Sequence, residues 1–393
     1  MGESKFPEVL ILSIPGDIHT HAVIWALRHR GVNAEVVIPG DLPDFTKISI
    51  NIDGSGTDVV FRDREGTEVH TSNVKLVWNR RVGYPPVPDR THEHDREVVQ
   101  EAYRNHVDNL RAVLTRQATF INSPEVQYLA GKKALQLTTA IEVGFVVPGT
   151  CISNDFDSAV TTKQKYRDII SKLYYSRLWR KDGETFGAYT TIVESIEPDD
   201  RASIELCPSF FQEAIVALDS EVRLIAFGDY VYGMRMRRSE SDNGVPTDGI
   251  CDSRLLLEYG KYDCSVADIP EEVRCKVRHY MDLLGLKFGA FDFLINSDGQ
   301  WVFLECNEGG QFLFLEEQLG SIKLLKGFTD WLASHVGIPE AQDSDEISLA
   351  SYYAASVFAD RDAEFGKHND FSAYRRTVEE DEHMSDTQFS GYQ

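Results

Sequence analysis

The sequence predicts a chain of mixed α/β and α+β domains, and three observations carry that prediction: a β-α-β opening, a middle part in which short strands alternate with a helix, and a hairpin of two alternating strands near residue 300. Residues 8–14 (EVLILSI) form a continuous apolar run ending at Pro15-Gly16, as a strand inside a parallel sheet requires. Asp17 stands where an N-cap belongs, ahead of a helix carrying Ile18, Ala22, Trp25, Ala26 and His29 and closed by Gly31. AEVVIPGD (34–41) is the next strand. A hairpin-like pair (ISINIDGSGTDVVFRD), the strand VKLVWNRR (74–81) and a helix over 92–119 complete this part, which breaks at Phe120–Pro124. A single glycine after the first strand is not G-x-G-x-x-G, so a dinucleotide site is not expected.

From 126 to about 205 come the helix GKKALQLTTAIEVG and strands around VVPGTCIS, DIISKLYYSRL and AYTTIVESI, an α+β arrangement. From 206 the strands FFQEAIVA, EVRLIAFGD and YVYGMRMRR precede a helix opened by Pro270, with Val273, Val277, Tyr280, Met281 and Leu284 on one face and Gly285 just past its end. Strands FGAFDFLIN and QWVFLECNE and a helix over about 318–336 follow. The expected organisation is 1–124, 125–205, 206–338 and a solvated acidic tail over 339–393, where the last 54 residues hold 13 acidic and 4 basic side chains.

Composition narrows the function classes. With 40 Lys+Arg against 63 Asp+Glu the formal charge is −23, which disfavours nucleic acid and anionic membrane as partners, because a phosphate ligand would need a local basic pocket against the global field. Hydrophobic residues at 42% and charged residues at 26% are those of a folded globular chain. The six cysteines form no C-x-x-C or zinc spacing, and no apolar run reaches membrane-spanning length. The N-terminus carries neither a signal peptide nor a myristoylation pattern. The expectation is a reduced, cytoplasmic protein.

The strongest chemical signal is GAFDFLINSDGQWVFLECN (289–307). Asp298-Gly299 between alternating strands predicts a two-residue turn, and residues whose numbers sum to 597 then face each other. Phe291, Phe293 and Ile295 share an apolar face with Cys306, Leu304 and Val302. Asp292 stands opposite Glu305 on the other face, with Asn307 next along the strand. Two opposed carboxylates repel unless a cation lies between them, and Asp/Glu/Asn is an all-oxygen set suited to Mg²⁺. A solvated polar face is the alternative. His92-Glu93-His94-Asp95 lacks a metal spacing and reads as a polar helix start, and Cys306 as a core cysteine.

The spacing D-x12-E-x-N on the last hairpin of a chain that opens β-α-β resembles the ATP-grasp superfamily. VKLVWNRR, GKKALQLTTAIEVGFVVPGT (131–150), FQEAIVALDSEVRLIAFGDYVYGMRM (211–236) and FLECNEGGQFLFLEEQLG (303–320) are similar to the microviridin-type maturases, the graspetide synthetases, themselves related to ribosomal-protein glutamate ligases. The resemblance covers about 1–338. It implies a three-part ATP-grasp fold: an N-terminal α/β domain, with the nucleotide held between central and C-terminal domains. It implies ATP and Mg²⁺ as cofactors, Asp292, Glu305 and Asn307 as metal ligands, and Lys133 and Lys172 on the phosphates, with Lys132 as the alternative to Lys133. The segment Ser176–Gly187 matches a loop over the phosphates. Gln212, Glu213, Ala214 and Ile215 match the adenine hinge, and Glu221 the ribose acid, its alternative being an exposed strand-edge glutamate. Arg223, Arg235 and Arg237 are expected at the substrate carboxylate or acyl phosphate, alongside Arg238, with an aggregation-resistant edge strand as the other reading of that arginine cluster. Arg80 and Arg81 match strand-end arginines without an assigned role.

The activity so implied is phosphorylation of Asp or Glu side chains of a precursor peptide by ATP, followed by ring closure onto Thr, Ser or Lys as ester or amide. The partner would be that peptide, a leader docked on the central domain plus a core rich in Thr/Ser and Asp/Glu, and the enzyme a possible homodimer. A linear amino-acid ligase and a non-catalytic ATP-binding regulator are the competing readings.

Overall fold

The computed structural model describes residues 3–54, 56–174, 177–181, 184–188, 190–215, 218–238, 262–339 and 347–355. Two compact units share the chain: one takes in the described residues of Met1–Tyr128, Leu286–Phe288 and Glu308–Asp381, the other those of Leu129–Gly285 and Gly289–Asn307.

In the first unit the apolar opening strand Val9–Leu12 lies inside a parallel sheet ordered Ala34–Val37, Val9–Leu12, Leu76–Asn79, Thr119–Ile121. All four residues of Val9–Leu12 are fully buried, which is why that run shows no alternation. Asp17 caps helix Ile18–His29, its carboxylate accepting the Thr20 N–H at 3.0 Å. The break expected at 120–124 instead adds Thr119–Ile121 to the sheet. A second sheet runs Ser4–Lys5, Glu68–His70, Gly56–Asp63, Thr46–Asp53. Helix Arg96–Gln117 buries Val107, Leu110 and Leu114, the last two against Leu10, Leu12, Phe61 and Val77.

The helix expected over 318–336 is two helices, Phe314–Leu319 and Leu324–Ser334, parted at Gly320, whose φ of +62° ends the first. Part of the expected tail is also folded. Helix Leu349–Ala354 is capped by Ser348, and Ile347, Leu349 and Tyr352 are buried. The stretches 340–346 and 356–393 lie outside the described residues.

In the second unit a four-stranded antiparallel sheet is ordered Thr191–Val193, Ile169–Lys172, Ser209–Glu213, Thr150–Ser153. Ser209–Glu213 lies between two strands of the 125–205 segment, so the central sheet runs past residue 205. Helix Phe156–Tyr166 packs Ala159 against Ile169 and Phe211. Strands Arg177–Lys181 and Glu184–Ala188 pair as a hairpin within the expected phosphate loop; residues 175–176, 182–183 and 189 lie outside the described set, as do the side chains of 177–181 and 184–188. The larger sheet is ordered Tyr262–Val266, Tyr230–Arg238, Leu218–Phe227, Phe288–Asn296, Trp301–Asn307. Helix Glu271–Leu284, closed by Gly285 at φ +71°, covers one face, its Tyr280 ring meeting Phe291 and Phe303.

Candidate active site

The hairpin reaches its expected pairing by an unexpected route. Ala290 faces Asn307, Phe291 faces Cys306 and Asp292 faces Glu305, but the register shifts at the next residue and Phe293 faces Phe303. Leu304 is left over as a bulge, and Phe303, not Leu304, is buried. The turn is one residue longer than Asp298-Gly299 alone suggests: Asn296 closes onto Gln300 (N···O 3.2 Å), with Gly299 at φ +77°. The longer turn and the bulge compensate, and the carboxylates still meet.

Cations hold both acids. Arg223, 12% exposed and on the neighbouring strand Leu218–Phe227, donates from Nη1 to both oxygens of Asp292, at 2.8 and 2.6 Å. Lys133, first residue of helix Lys133–Glu142, pairs its ammonium with Glu305. The two carboxylates are about a third exposed, 31% and 34%. Their affinities for a proton are pushed apart. Burial raises Asp292 above the ordinary aspartate value against the pull of Arg223, and the Glu305 charge adds to the rise. The Lys133 ammonium holds Glu305 down at about 2. Lys172 ends strand Ile169–Lys172 opposite Phe210, with Nζ 5.6 Å from that ring; burial lowers its pKa, Glu305 opposes the change and Lys133 adds to it. Lys133, Lys172, Asp292, Glu305 and Arg223 thus form one electrostatic group.

Glu221 lies two residues before Arg223 on the same face and accepts a hydrogen bond from the Tyr262 hydroxyl at 2.7 Å. Arg235 and Arg237 are not brought to this group. Arg235 faces Val222 whereas Arg223 faces Met234, and directly opposed residues share a face, so Arg235 and Arg237 lie on the other side of the sheet. Arg235 donates to Ser220 Oγ (2.8 Å) and to Asp219 (2.5 Å), and Arg237 lies 3.5 Å from the same carboxylate. The Arg238 side chain lies outside the described residues.

The hinge segment is anchored in the central sheet. Buried Gln212 donates to Thr150 Oγ1 at 2.8 Å. The Glu213 N–H goes to the Gly149 carbonyl (2.8 Å), and its carboxylate accepts the Gly149 N–H (3.0 Å). The Ala214 N–H goes to Asp168 (2.9 Å). Ile215, half-buried, lies two residues past the end of strand Ser209–Glu213.

Among the described residues no three His, Cys, Asp or Glu side chains gather as a metal cluster. The candidate set is two carboxylates and the exposed Asn307 amide, which is chemically suited to a hard ion that completes its shell with water and phosphate. Two residues of this region escaped the sequence reading, Tyr262, which donates to Glu221, and Gln136, whose side chain bonds the Cys306 backbone. Gln136 had one signal, its place a helical turn beyond Lys133; Tyr262 had none.

No protein-family model matches the chain, and no curated protein does. Solved structures do. The chain superposes on a RiPP-associated ATP-grasp ligase of Chryseobacterium gregarium, solved with ADP and a leader and core peptide, with a TM-score of 0.74 and 19% identity over 84% of this chain and 97% of that one. It superposes on the macrocyclase MdnC of Microcystis aeruginosa, solved with the precursor peptide MdnA, with a TM-score of 0.71 and 22% identity over 82% and 98%. A D-cycloserine synthetase, DcsG, follows with a TM-score of 0.51 and 15% identity over 84% and 99%. The fold is that of the ATP-grasp ligases. No helix among the described residues is long and apolar enough to cross a membrane.

Proposed function

We propose that this chain is an ADP-forming ATP-grasp ligase that closes ester or amide rings in a ribosomally made precursor peptide. The observation that carries the reading is the cross-strand pair Asp292–Glu305, met by Arg223 and Lys133 with Lys172 close by. The superposed ligase and macrocyclase, solved with their peptides, support peptide as the substrate class.

A side-chain carboxylate of the peptide attacks the γ-phosphorus of ATP, the bond to the β-phosphate oxygen breaks, and ADP leaves. A hydroxyl or amine of the same peptide then attacks the acyl carbon, and inorganic phosphate departs with the proton. Asp292, Glu305 and Asn307 would hold Mg²⁺, which supplies charge neutralisation on the phosphates. Lys133 and Lys172 are compact cations suited to phosphate oxygens, and Arg223 offers a planar fork to a carboxylate or acyl phosphate. Glu221, which accepts a hydrogen bond from Tyr262, would take a ribose hydroxyl, and the backbone near Ile215 adenine. The chain's contribution is positioning and fixed charge. Arg235 and Arg237, on the opposite face and paired with Asp219, take no part in this phosphate chemistry.

The test is intact-mass analysis of a candidate precursor, rich in Thr/Ser and Asp/Glu, after incubation with ATP and Mg²⁺. Loss of one water per ring is expected. A gain in mass from an added amino acid would make the chain a linear ligase, and phosphate release with unchanged peptide mass would overturn macrocyclisation.

A further inference from the structure

Strand Trp301–Asn307 is the last of its five-stranded sheet, so among the described residues one edge has no strand neighbour. An uncovered edge leaves amides and carbonyls unpaired, and a slip of one residue turns every side chain to the other face. For this strand a slip would carry Glu305 and Asn307 away from Asp292. The edge is covered at two points. Val146 bridges Val302, and its carbonyl accepts the Phe303 N–H at 2.8 Å. Farther along, the Gln136 side chain does for Cys306 what a neighbouring strand would do. Its Nε2 donates to the Cys306 carbonyl at 2.7 Å and its Oε1 accepts the Cys306 N–H at 3.2 Å. The remaining Nε2 proton goes to the Ala130 carbonyl at 2.6 Å. Gln136 is 2% exposed, and an amide with both donors and its acceptor engaged has one orientation.

We propose that Gln136 is a positioning residue for the metal set, a role that rests on reading Asp292, Glu305 and Asn307 as the Mg²⁺ ligands. Cys306 points into the core at 2% exposure, so fixing its backbone fixes the direction of Glu305 before it and Asn307 after it. Helix Lys133–Glu142 then does two things within one turn. Lys133 neutralises the Glu305 carboxylate, and Gln136 holds the two peptide units, either side of Cys306, that set where that carboxylate and the Asn307 amide stand.

The variant Gln136→Met keeps side-chain length and removes both bonds to Cys306. It is expected to remain folded and to bind ADP in EDTA within about twofold of the parent chain. Mn²⁺ binding to the ADP complex, read by electron paramagnetic resonance, should weaken by about tenfold or more, the usual range when a group that orients metal ligands is lost. Unchanged Mn²⁺ affinity would make Gln136 an ordinary packing residue and overturn the proposal. So would an equal loss of ADP binding in EDTA. Asp292→Asn, measured alongside, separates this failure from failure of the metal reading: if it binds Mn²⁺ as the parent does, or if the parent binds none with ADP present, the metal site itself is wrong. Should Gln136→Met not fold, Gln136→Glu, which keeps an acceptor for the Cys306 N–H and loses the donor, is measured in its place against the same two outcomes.

Discussion

Asp292 and Glu305 are the same chemistry in two settings, and the difference has a measurable sign. Glu305 is held at about 2 against an ordinary 4.5, chiefly by Lys133. On acidification the unfolded chain therefore takes up this proton first. The stabilisation from the Glu305–Lys133 pair is complete above pH 4.5 and disappears as the pH falls toward 2. Asp292 runs the other way: raised by burial, it is protonated first in the folded chain, which gains relative stability as the pH falls through the raised value toward 3.8. Glu305→Gln should accordingly flatten the acid limb of stability between about pH 4.5 and 2. Urea titrations at a series of pH values check this, and an unchanged slope would mean that Lys133 does not hold the carboxylate. The acidic pair was legible in the sequence because strand alternation and a turn signal suffice to oppose two residues. Its cations were less so: the family resemblance puts Lys133 and Arg223 on phosphate or substrate, and nothing in their spacing shows that they also neutralise Glu305 and Asp292.

At the scale of elements, the sequence is most readable where one local rule decides the outcome. Asp17 and Gly285 mark helix ends because a capping oxygen and a residue with positive φ have few substitutes. It is least readable where two local deviations offset each other, as the longer turn and the Leu304 bulge do. Sheet membership of Ser209–Glu213 was equally hidden, since strand order is fixed by packing across the sheet and not by the order of strands in the chain. Gly149 shows how tightly that central sheet is built. A Cβ at this position would fall onto the Tyr166 ring at the end of helix Phe156–Tyr166, and the Gly149 backbone exchanges hydrogen bonds with Glu213 at both its N–H and its carbonyl. Gly149→Ala should destabilise the fold by roughly 1–3 kcal/mol through overpacking. Trimming the ring in the double variant Gly149→Ala/Tyr166→Ala should cost less than the sum of the single changes. Thermal denaturation of the four chains gives the answer, and strict additivity would show that the clash relaxes elsewhere.

For the whole molecule, the acidic C-terminal part reads as solvent-exposed by composition, yet its short apolar stretch closes part of the first unit. Tyr352 is fully buried and its ring lies 5.6 Å from Trp25 of helix Ile18–His29, a helix whose own buried residues meet the parallel sheet. The buried Glu316 carboxylate joins the pieces, accepting the Leu325 N–H and the Leu349 N–H, each at 2.7 Å. Burial pushes the Glu316 carboxyl up, and these amides pull it back. A chain cut after Pro339 loses Ile347, Leu349 and Tyr352 from the core and removes one of the two amides. At ~1.5–3 kcal/mol for each large side chain returned to water, reduced because unfolded chains already bury part of that surface, the loss comes to roughly 3–6 kcal/mol. A cut after Ala355 keeps all three residues and the Glu316 contact, and should keep the stability they supply. The residues of the proposed nucleotide and metal site all belong to the other unit, so the shorter chain should unfold earlier on heating while ADP binding below that transition stays near that of the full chain. Differential scanning calorimetry and ADP titration of the two truncations decide the matter: equal thermal midpoints would mean that helix Leu349–Ala354 contributes no net stability, and loss of ADP binding by the shorter chain while it is still folded would mean that the nucleotide site depends on it.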